Sequence, residues 1–406
     1  MSNKKGIEAK GNTLYLNGTV VGGNGGGEPV PDMSAYGYFG VNYPKQMAMV
    51  QGLLHPDNDK MLARLRFIHI SDSHADVWEW GKADDLLANS HADFLVHTGD
   101  FASDQFNDAS AQAAITKMIG IHTTTEKPVY FCLGNHDVMQ AEGATPLTNA
   151  DVFDAYFKEA LTDNAGGFDG QGKTYYSIDV VRQTTGQIKG FKLIFLDQYD
   201  GTTARRTADN GKASDTQIRW FINQLNDATT KMLHVIIFVH SQPGRVMTGA
   251  VPNWCDFQGH PYSDGGNEPF KKLVQAWIEK DWTNGSTNGS YNFEYDGVTY
   301  SGRFVYNAST VSMPRFVGWF CGHTHYDSVG WLEGYPMQMV VAVAVPNARP
   351  NNSYCGLLNP DLKPTINYVC IDGHRQTCTV MKMGCQDNID GIARDIFCYK
   401  FCNDKR

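Results

Sequence analysis

Short apolar runs recur along the chain from about residue 65, and each stops abruptly at polar residues or at a glycine turn. Six such runs are RFIHI before Ser71, DFLVHT before Gly99, PVYFCL before Gly134, FKLIFL before Asp197, LHVIIFV before His240 and RFVGWF before Cys321. Near-continuous apolar segments rich in β-branched and aromatic residues are typical of strands buried on both faces. With helix-like segments between these strands, the pattern predicts an α/β sandwich.

The clearest helix pattern is SDTQIRWFINQLNDAT, which begins at Ser214. Ser214 is a favourable N-cap, and Gln217 three residues later would complete a capping box. Apolar residues then recur at helical spacing, and they are Ile218, Phe221, Ile222 and Leu225. This spacing predicts an amphipathic helix with one buried face. Weaker helix patterns cover residues 108–122 and 150–162.

Residues 1–34 differ in character from the rest of the chain. Two short alternating segments, 14–16 and 19–21, flank an Asn-Gly pair, which is a hairpin signal. A glycine-rich linker and a Pro-x-Pro follow. Because so small a hairpin is not stable alone, it must pair with a second copy, a partner chain or the main domain. Its LYLNG and VGG segments resemble pieces of bacteriophage tail and fibre proteins, so we interpret residues 1–34 as an assembly segment.

The main domain is predicted to cover residues 35–385, with an insertion at 241–314 and a cysteine-containing tail at 386–406. The insertion is predicted to contain a helix at 267–282 and a hairpin, YNFEYDGVTYSGRFVY. Loops of this length between core strands are usually lids or binding loops. Trp254, Asp256 and His260 could therefore line a substrate cleft, although packing within a surface loop is an equal alternative. Alternating segments after residue 335, QMVVAVAV and TCTVMKM, predict strands that complete a sheet.

Charge and hydropathy exclude several classes of partner. The formal net charge of -9 provides no broad basic field, so a long nucleic acid is not expected as a partner. No apolar run approaches the roughly 18 residues that a transmembrane helix needs. The first residues contain two lysines without an apolar segment behind them, which is unlike a secretory signal. An extracellular or virion location would need another route, and a cytoplasmic location is the alternative.

Six of the nine cysteines lie in the C-terminal part of the chain, and they are Cys355, Cys370, Cys378, Cys385, Cys398 and Cys402. They could be reduced, partly buried thiols, or disulfides that tie the segment together. A structural zinc site is a third alternative, but the Cys398–Cys402 spacing has no matching second pair. The sequence leaves these alternatives open.

Polar clusters follow five of the predicted strands. They are Asp72-Ser73-His74, Gly99-Asp100, Gly134-Asn135-His136-Asp137, His240 and Gly322-His323-Thr324-His325. In an α/β sandwich the carboxyl ends of neighbouring strands converge on one rim, where ligands bind. We therefore expect the five clusters to meet. His97 and His234 lie inside strands and are interpreted as structural, and Asp197-Gln198 is interpreted either as structural or as a support for the residues of the site.

The residue types in these clusters are typical of metal ligands without thiolate. The candidate ligands are Asp72, His74, Asp100, Asn135, His240, His323 and His325. Imidazole nitrogens and oxygen donors suit Mn, Fe, Zn, Ni or Co, and seven ligands are too many for one ion. Two ions about 3.5–4 Å apart can clamp a phosphate and activate a bridging water. His136, next to a ligand, could stabilise charge on the phosphate or protonate the leaving alkoxide.

This ordered set resembles the calcineurin-like metallophosphoesterase family, whose motifs are D-x-H, G-D, G-N-H-[DE], H and G-H-x-H. The resemblance covers residues 70–325 and implies a four-layer αββα sandwich and a two-metal hydrolase. It implies that Asp72, His74 and His325 hold the first metal and that Asp100 bridges. It also implies that the second metal is held by Asn135, His240 and His323 and that His136 faces the scissile phosphate.

One motif departs from the protein-phosphatase branch of that family, in which the second block reads G-D-x-x-D-R-G. Here it reads GDFASDQF, with Asp104 one residue late and no Arg-Gly. The departure argues against a protein phosphatase. It also leaves Asp104 and Asp137 as alternative candidates for the acid that orients His136.

The substrate is predicted only as a class. We expect hydrolysis of a phosphodiester or phosphomonoester, either in a small molecule or in a cell-envelope polymer reached from a virion. The alternatives are a soluble intracellular nucleotide or sugar-phosphate phosphatase, and a binding or structural module that has kept the fold without activity. Intact candidate ligands argue against the last of these.

Overall fold

The computed structural model describes residues 7–10, 13–16, 19–22, 64–74, 77–102, 106, 127–158, 172–182, 188–207, 210–244, 246–248, 251–253, 266–280, 289–305, 314–323, 328–332, 340–343, 365–384 and 396–401. The five helices of these segments are α1 (Val77–Asn89), α2 (Asn135–Val138), α3 (Asn149–Tyr156), α4 (Asp215–Lys231) and α5 (Glu268–Ile278). Among the described residues, no helix combines the length and the apolar character that a membrane crossing requires.

The strands form two large sheets and two small ones. They are β1 (Ile7–Lys10), β2 (Thr13–Leu16), β3 (Thr19–Gly22), β4 (Arg64–Ile70), β5 (Phe94–His97), β6 (Val129–Phe131), β7 (Tyr176–Val181), β8 (Gly190–Phe195), β9 (Leu233–Phe238), β10 (Val246–Thr248), β11 (Val251–Asn253), β12 (Ser290–Tyr295), β13 (Val298–Arg303), β14 (Phe316–Cys321), β15 (Ser328–Leu332), β16 (Val340–Val343), β17 (Thr365–Asp372), β18 (Thr377–Gly384) and β19 (Ile396–Lys400). All six apolar runs of the sequence analysis lie on core strands.

A six-stranded sheet has the order β19-β18-β17-β4-β5-β6, and an eight-stranded sheet has the order β11-β10-β15-β16-β14-β9-β8-β7. Strands β4, β5 and β6 are parallel to one another. In the other sheet β8, β9 and β14 are also parallel. Because the strands that precede the polar clusters run in parallel within each sheet, each sheet carries its clusters on one edge.

The two sheets pack face to face through aromatic side chains. Phe67 of β4 lies 5.4 Å from Phe238 of β9 and 5.0 Å from Phe320 of β14, between ring centroids and edge to face. Along β9 the side chains alternate, because Ile236 and Phe238 join this inner core while the residues between them face the outer one. Strands buried on both faces therefore carry the near-continuous apolar runs seen in the sequence.

Helices cover the outer faces. On the eight-stranded sheet, α4 and α5 form a second core in which Phe221 packs edge to face on Phe270 at 5.0 Å. On the six-stranded sheet, α1 contributes Trp80, Leu86 and Leu87, all fully buried. The architecture is the four-layer αββα sandwich that the motifs predict.

Helix α4 begins as predicted but without a full capping box. The Ser214 hydroxyl accepts the Gln217 N–H at 3.0 Å, so Ser214 is the N-cap. The Gln217 side chain turns away from Ser214 and bonds both backbone groups of Asp197, at 3.0 and 2.7 Å. The capping-box prediction is therefore wrong for Gln217, because a buried strand end offers its side chain a donor and an acceptor together.

The predicted N-terminal hairpin corresponds to β2 and β3, and β1 adds a third antiparallel strand that the sequence analysis missed. In the insertion, α5 and the β12–β13 hairpin match the predicted helix and hairpin and belong to the outer layer. Residues 254–265 and 281–288 lie outside the described residues, so the role of the insertion as a lid or binding loop stays a prediction. The helix predicted at 108–122 lies outside them as well. Of the C-terminal cysteines, Cys378 and Cys398 form no disulfide with another described residue.

Candidate metal centre

The turns after β4, β5 and β14 hold their polar residues in an uncommon backbone conformation. Asp72, His74, Asp100 and His323 have φ angles of 53°, 44°, 57° and 71°. Such left-handed conformations cost a non-glycine residue on the order of 1 kcal/mol or more each, and they persist only where the surroundings determine them. Their concentration in these turns marks this rim of the sandwich as a functional-site candidate.

Two glycines of the motifs allow carboxylates to approach the neighbouring backbone. A Cβ at Gly134 would collide with the Asp100 side chain, and a Cβ at Gly322 would collide with Ser71 and Asp72. Because any larger residue would displace one of these carboxylates, glycine is required by the close approach itself.

Asp100, Asn135, His240 and His323 form one group, the buried cluster. The Nε2 atom of His240 lies 3.1 Å from both an Asp100 carboxylate oxygen and the Asn135 amide oxygen. The other ring nitrogen, Nδ1, lies 2.8 Å from the Thr98 carbonyl oxygen, which fixes the ring orientation. Ligand atoms of Asp100, His240 and His323 all lie within 4.8 Å of one another.

A second group, the open cluster, consists of His74, Asp100 and His136. Their ligand atoms also lie within 4.8 Å of one another, and the two histidines are only half-buried. The His74 Nδ1 atom faces the Ala102 carbonyl oxygen at 3.2 Å. The His136 Nδ1 atom is buried without a hydrogen-bond partner among the described residues. Asp100 belongs to both clusters, so the two sites share one carboxylate.

Asp72 connects the two sheets at this rim. Both its carboxylate oxygens lie 2.9 Å from the His323 backbone N–H, which joins the turn after β4 to the turn after β14. Asp72 falls outside both clusters in the geometry seen here, although it lies close enough to Asp100 and His240 for their charges to interact.

The electrostatics favour a cation at this rim. Burial opposes ionisation of Asp100, but the charges of His240 and His136 outweigh it and hold its pKa well below the usual range. Burial alone would lower the pKa of His240, yet Asp100 and Asp72 raise it to about 9. Burial, reinforced by Asp100, raises the pKa of Asp72 to about 6. Two buried carboxylates here share one protonated imidazole, so a further positive charge would stabilise them. Together with imidazoles that carbonyl groups orient, they form a set of donors that fits divalent metal ions.

The family profile described as calcineurin-like phosphoesterase matches residues 65–327, a span that contains every motif block described above. The chain belongs to the calcineurin-like phosphoesterase family.

Three solved structures that the chain matches are distant from it in sequence. One is a dimetal phosphatase from Danio rerio, with 10% identity, a TM-score of 0.48, and coverage of 83% of this chain and 99% of that chain. Another is GAP50, the anchor in the inner membrane complex of Plasmodium, with 11% identity, a TM-score of 0.44, and coverage of 83% and 88%. TT1561 of Thermus thermophilus matches with 9% identity, a TM-score of 0.34, and coverage of 77% and 94%. No curated protein sequence matches the chain.

In this calcineurin-like phosphoesterase, Asp137 supports the backbone instead of the His136 ring. Its carboxylate accepts the backbone N–H groups of Asp100, Ala102 and Gly134 at 2.8, 2.9 and 2.8 Å. Burial, with Asp100 as the next cause, raises its pKa to about 8. Asp137 thus joins the turn after β5 to the turn after β6. Because its carboxylate already accepts these three backbone hydrogen bonds, Asp137 is not free to orient the His136 side chain.

Four of the candidate site residues, Asp104, Trp254, His260 and His325, lie outside the described residues. Their predicted roles stay predictions. The carbonyl groups of Thr98 and Ala102, which orient His240 and His74, were missed by sequence reasoning. No signal in the sequence could have identified them, because every residue carries a carbonyl group.

Proposed function

We propose that this protein is a two-metal-dependent phosphoesterase that hydrolyses a phosphodiester or phosphomonoester. The observation that carries the proposal is the pair of ligand clusters that share the Asp100 carboxylate. Asn135, His240 and His323 would hold one ion, and His74 with Asp72 and His325 would hold the other. Two divalent ions bound there would supply Lewis-acid stabilisation of the phosphate and activation of water.

His136 is the proposed catalytic residue for the phosphate. Its backbone N–H donates to an Asp100 oxygen at 2.7 Å, so its position is coupled to the shared carboxylate. Its ring lies 4.8 Å from the His74 ring between centroids, and its Nδ1 atom has no partner among the described residues. An imidazole with a free nitrogen beside the metal ligands can donate a hydrogen bond to the phosphate or a proton to the leaving alkoxide.

The first experiment combines metal analysis with an activity screen. Purified protein would be assayed with Mn²⁺ on bis-(p-nitrophenyl) phosphate and p-nitrophenyl phosphate, beside Asp100→Asn and His136→Ala. We expect about two metals per chain and activity that both variants lose. Diesterase activity would favour a phosphodiester, including one in an envelope polymer, and monoesterase activity alone would favour nucleotides or sugar phosphates. Protein that binds no metal and shows no turnover with any divalent ion would contradict the proposal and indicate a silent binding module.

We propose in addition that residues 1–34 attach the domain to a larger assembly, such as a virion. The support is that β1–β3 form a sheet of their own and that the family match begins only at residue 65. Deletion of residues 1–34 should leave the turnover of a small substrate unchanged. It should also abolish the association of the protein into larger species, measured by light scattering. Loss of turnover in the deleted protein, or association that persists, would contradict this role.

A further inference from the structure

His97, the last residue of β5, links two of the metal-ligand turns. The Gly99 backbone N–H donates to its Nδ1 atom at 3.1 Å, and its Nε2 atom lies 3.0 Å from the Ser73 hydroxyl oxygen. Because Nδ1 accepts a hydrogen bond, the ring proton is on Nε2, which therefore donates to Ser73. The ring is neutral and both its nitrogens are used.

Trp80 of α1 completes this arrangement. Its indole ring stacks on the His97 ring with centroids 4.8 Å apart and planes at 7°. Its Nε1–H donates to the same Ser73 hydroxyl oxygen at 3.1 Å. All three side chains are buried, so each hydrogen bond forms away from water, where a lost partner is most costly. We call Ser73, Trp80 and His97 the polar brace.

The brace holds residues between and beside the candidate ligands. Ser73 lies between Asp72 and His74, and Gly99 precedes Asp100. All three of these candidate ligands have positive φ angles. The two turns are also joined directly, because the Asp72 N–H donates to the Gly99 carbonyl at 2.8 Å and the His74 N–H donates to the Asp100 carbonyl at 3.0 Å. The two turns are therefore held together both by backbone hydrogen bonds and by the side chains of the brace. These contacts together keep the candidate ligands in their strained backbone conformations.

We propose that His97 is a positioning residue that holds the turns at 71–74 and 98–100 in the geometry that metal binding requires, acting through Ser73 and Gly99. The inference rests on the proposed two-metal function. His97 should differ from an ordinary buried histidine in one testable respect. Its loss should lower the affinity for metal, whereas the loss of an ordinary buried histidine should lower only the stability of the fold.

His234 of β9 is a matched control. It is equally buried, its Nδ1 atom accepts the Arg315 backbone N–H at 3.0 Å, and its Nε2 atom lies 3.1 Å from the Gly373 carbonyl oxygen. Burial lowers the pKa of both histidines, to about 3 for His97 and about 4 for His234. His234 lies near the start of β9, whereas the candidate ligand His240 follows the end of that strand. The two residues therefore have the same chemistry, and only His97 contacts the ligand turns.

The test measures Mn²⁺ affinity by calorimetric titration and the unfolding midpoint of the metal-free protein for wild type, His97→Leu and His234→Leu. Both variants should lower the midpoint by similar amounts. Only His97→Leu should weaken Mn²⁺ binding, by about tenfold or more, as is typical when groups that orient metal ligands are lost. Equal affinity in wild type and His97→Leu, or equal weakening in both variants, would overturn the positioning role.

Milder variants keep the test decisive if His97→Leu does not fold. His97→Asn can keep an acceptor for the Gly99 N–H, His97→Gln can keep a donor for Ser73, and Ser73→Ala removes the hydroxyl that both rings bond. Each should weaken Mn²⁺ binding by less than His97→Leu but more than His234→Leu, and affinities equal to wild type in all three would overturn the proposal. Wild-type protein that binds no Mn²⁺ would instead overturn the two-metal function, and this proposal with it.

Discussion

The buried cluster and the open cluster share Asp100 and each contain a half-buried histidine, but only the buried cluster also contains a fully buried one, His240. In the buried cluster, His240 is fully buried and bonded at both ring nitrogens, to Thr98 on one side and to Asp100 and Asn135 on the other. In the open cluster, His74 and His136 are half-buried, and the Nδ1 atom of His136 has no partner among the described residues. The difference shows that the His240 ring of the buried cluster is more completely held by hydrogen bonds than the His136 ring of the open cluster.

The shared carboxylate provides the largest expected effect. Asp100→Asn keeps the shape of the side chain but removes the charge that both clusters use. We expect metal content to fall from about two ions to fewer than one and turnover to fall by more than about a hundredfold. Metal analysis after dialysis, with Asp296→Asn as a control at an exposed carboxylate, checks this. Retention of two ions would mean that the clusters do not depend on Asp100.

Replacement of one histidine by alanine in each cluster should lower the free energy of unfolding by different amounts. His240→Ala removes the partner of a buried Asp100 charge, which costs about 3 kcal/mol or more in the metal-free protein. His74→Ala removes a half-buried ring and should cost about 1 kcal/mol. Urea unfolding without metal measures both. Similar losses in the two variants would show that the clusters are equally organised before metal binds.

His136→Ala should separate chemistry from metal binding. Because Nδ1 has no hydrogen-bond partner among the described residues, the loss of the ring should cost less stability than His240→Ala does, while turnover falls by about 10²–10⁴-fold. Calorimetric Mn²⁺ titration beside His74→Ala supplies the comparison. If His136→Ala lost as much Mn²⁺ affinity as His74→Ala, His136 would be a metal ligand instead of a group reserved for the phosphate.

The strands that end in polar clusters could be predicted from the sequence, because both faces of those strands are buried and their apolar runs are unbroken. Asp100, Asn135 and His240 could be brought together from that pattern, since parallel strands present their carboxyl ends on one edge. The roles of Gln217 and Asp137 could not be predicted. Each side chain had a plausible local partner, and each instead bonds backbone groups that only the tertiary fold brings near. Strand β1 was missed although it is as long as β2 and β3 and although the Gly11-Asn12 pair that follows it is itself a hairpin signal.

The smallest expected effect concerns Asp137, which supports the open cluster more directly than the buried one. Its carboxylate holds the Ala102 backbone, and the Ala102 carbonyl orients His74, whereas His240 is oriented by Thr98. In Asp137→Asn an amide nitrogen replaces one acceptor oxygen, so at least one of the three backbone hydrogen bonds is lost, at about 1–3 kcal/mol of stability.

Because the Ala102 carbonyl orients His74 while the Thr98 carbonyl orients His240, one of the two Mn²⁺ affinities should fall by about tenfold in Asp137→Asn while the other stays nearly constant. Tyr156→Phe is the matched control, since the Tyr156 hydroxyl donates at 2.7 Å to the Asp137 carbonyl and not to its carboxylate. That variant should lose stability without a change in either affinity. If both Mn²⁺ affinities fell equally in Asp137→Asn, the carboxylate would act through the shared Asp100, whose backbone N–H it also accepts. The Asp137 carboxylate would then support both clusters to the same extent.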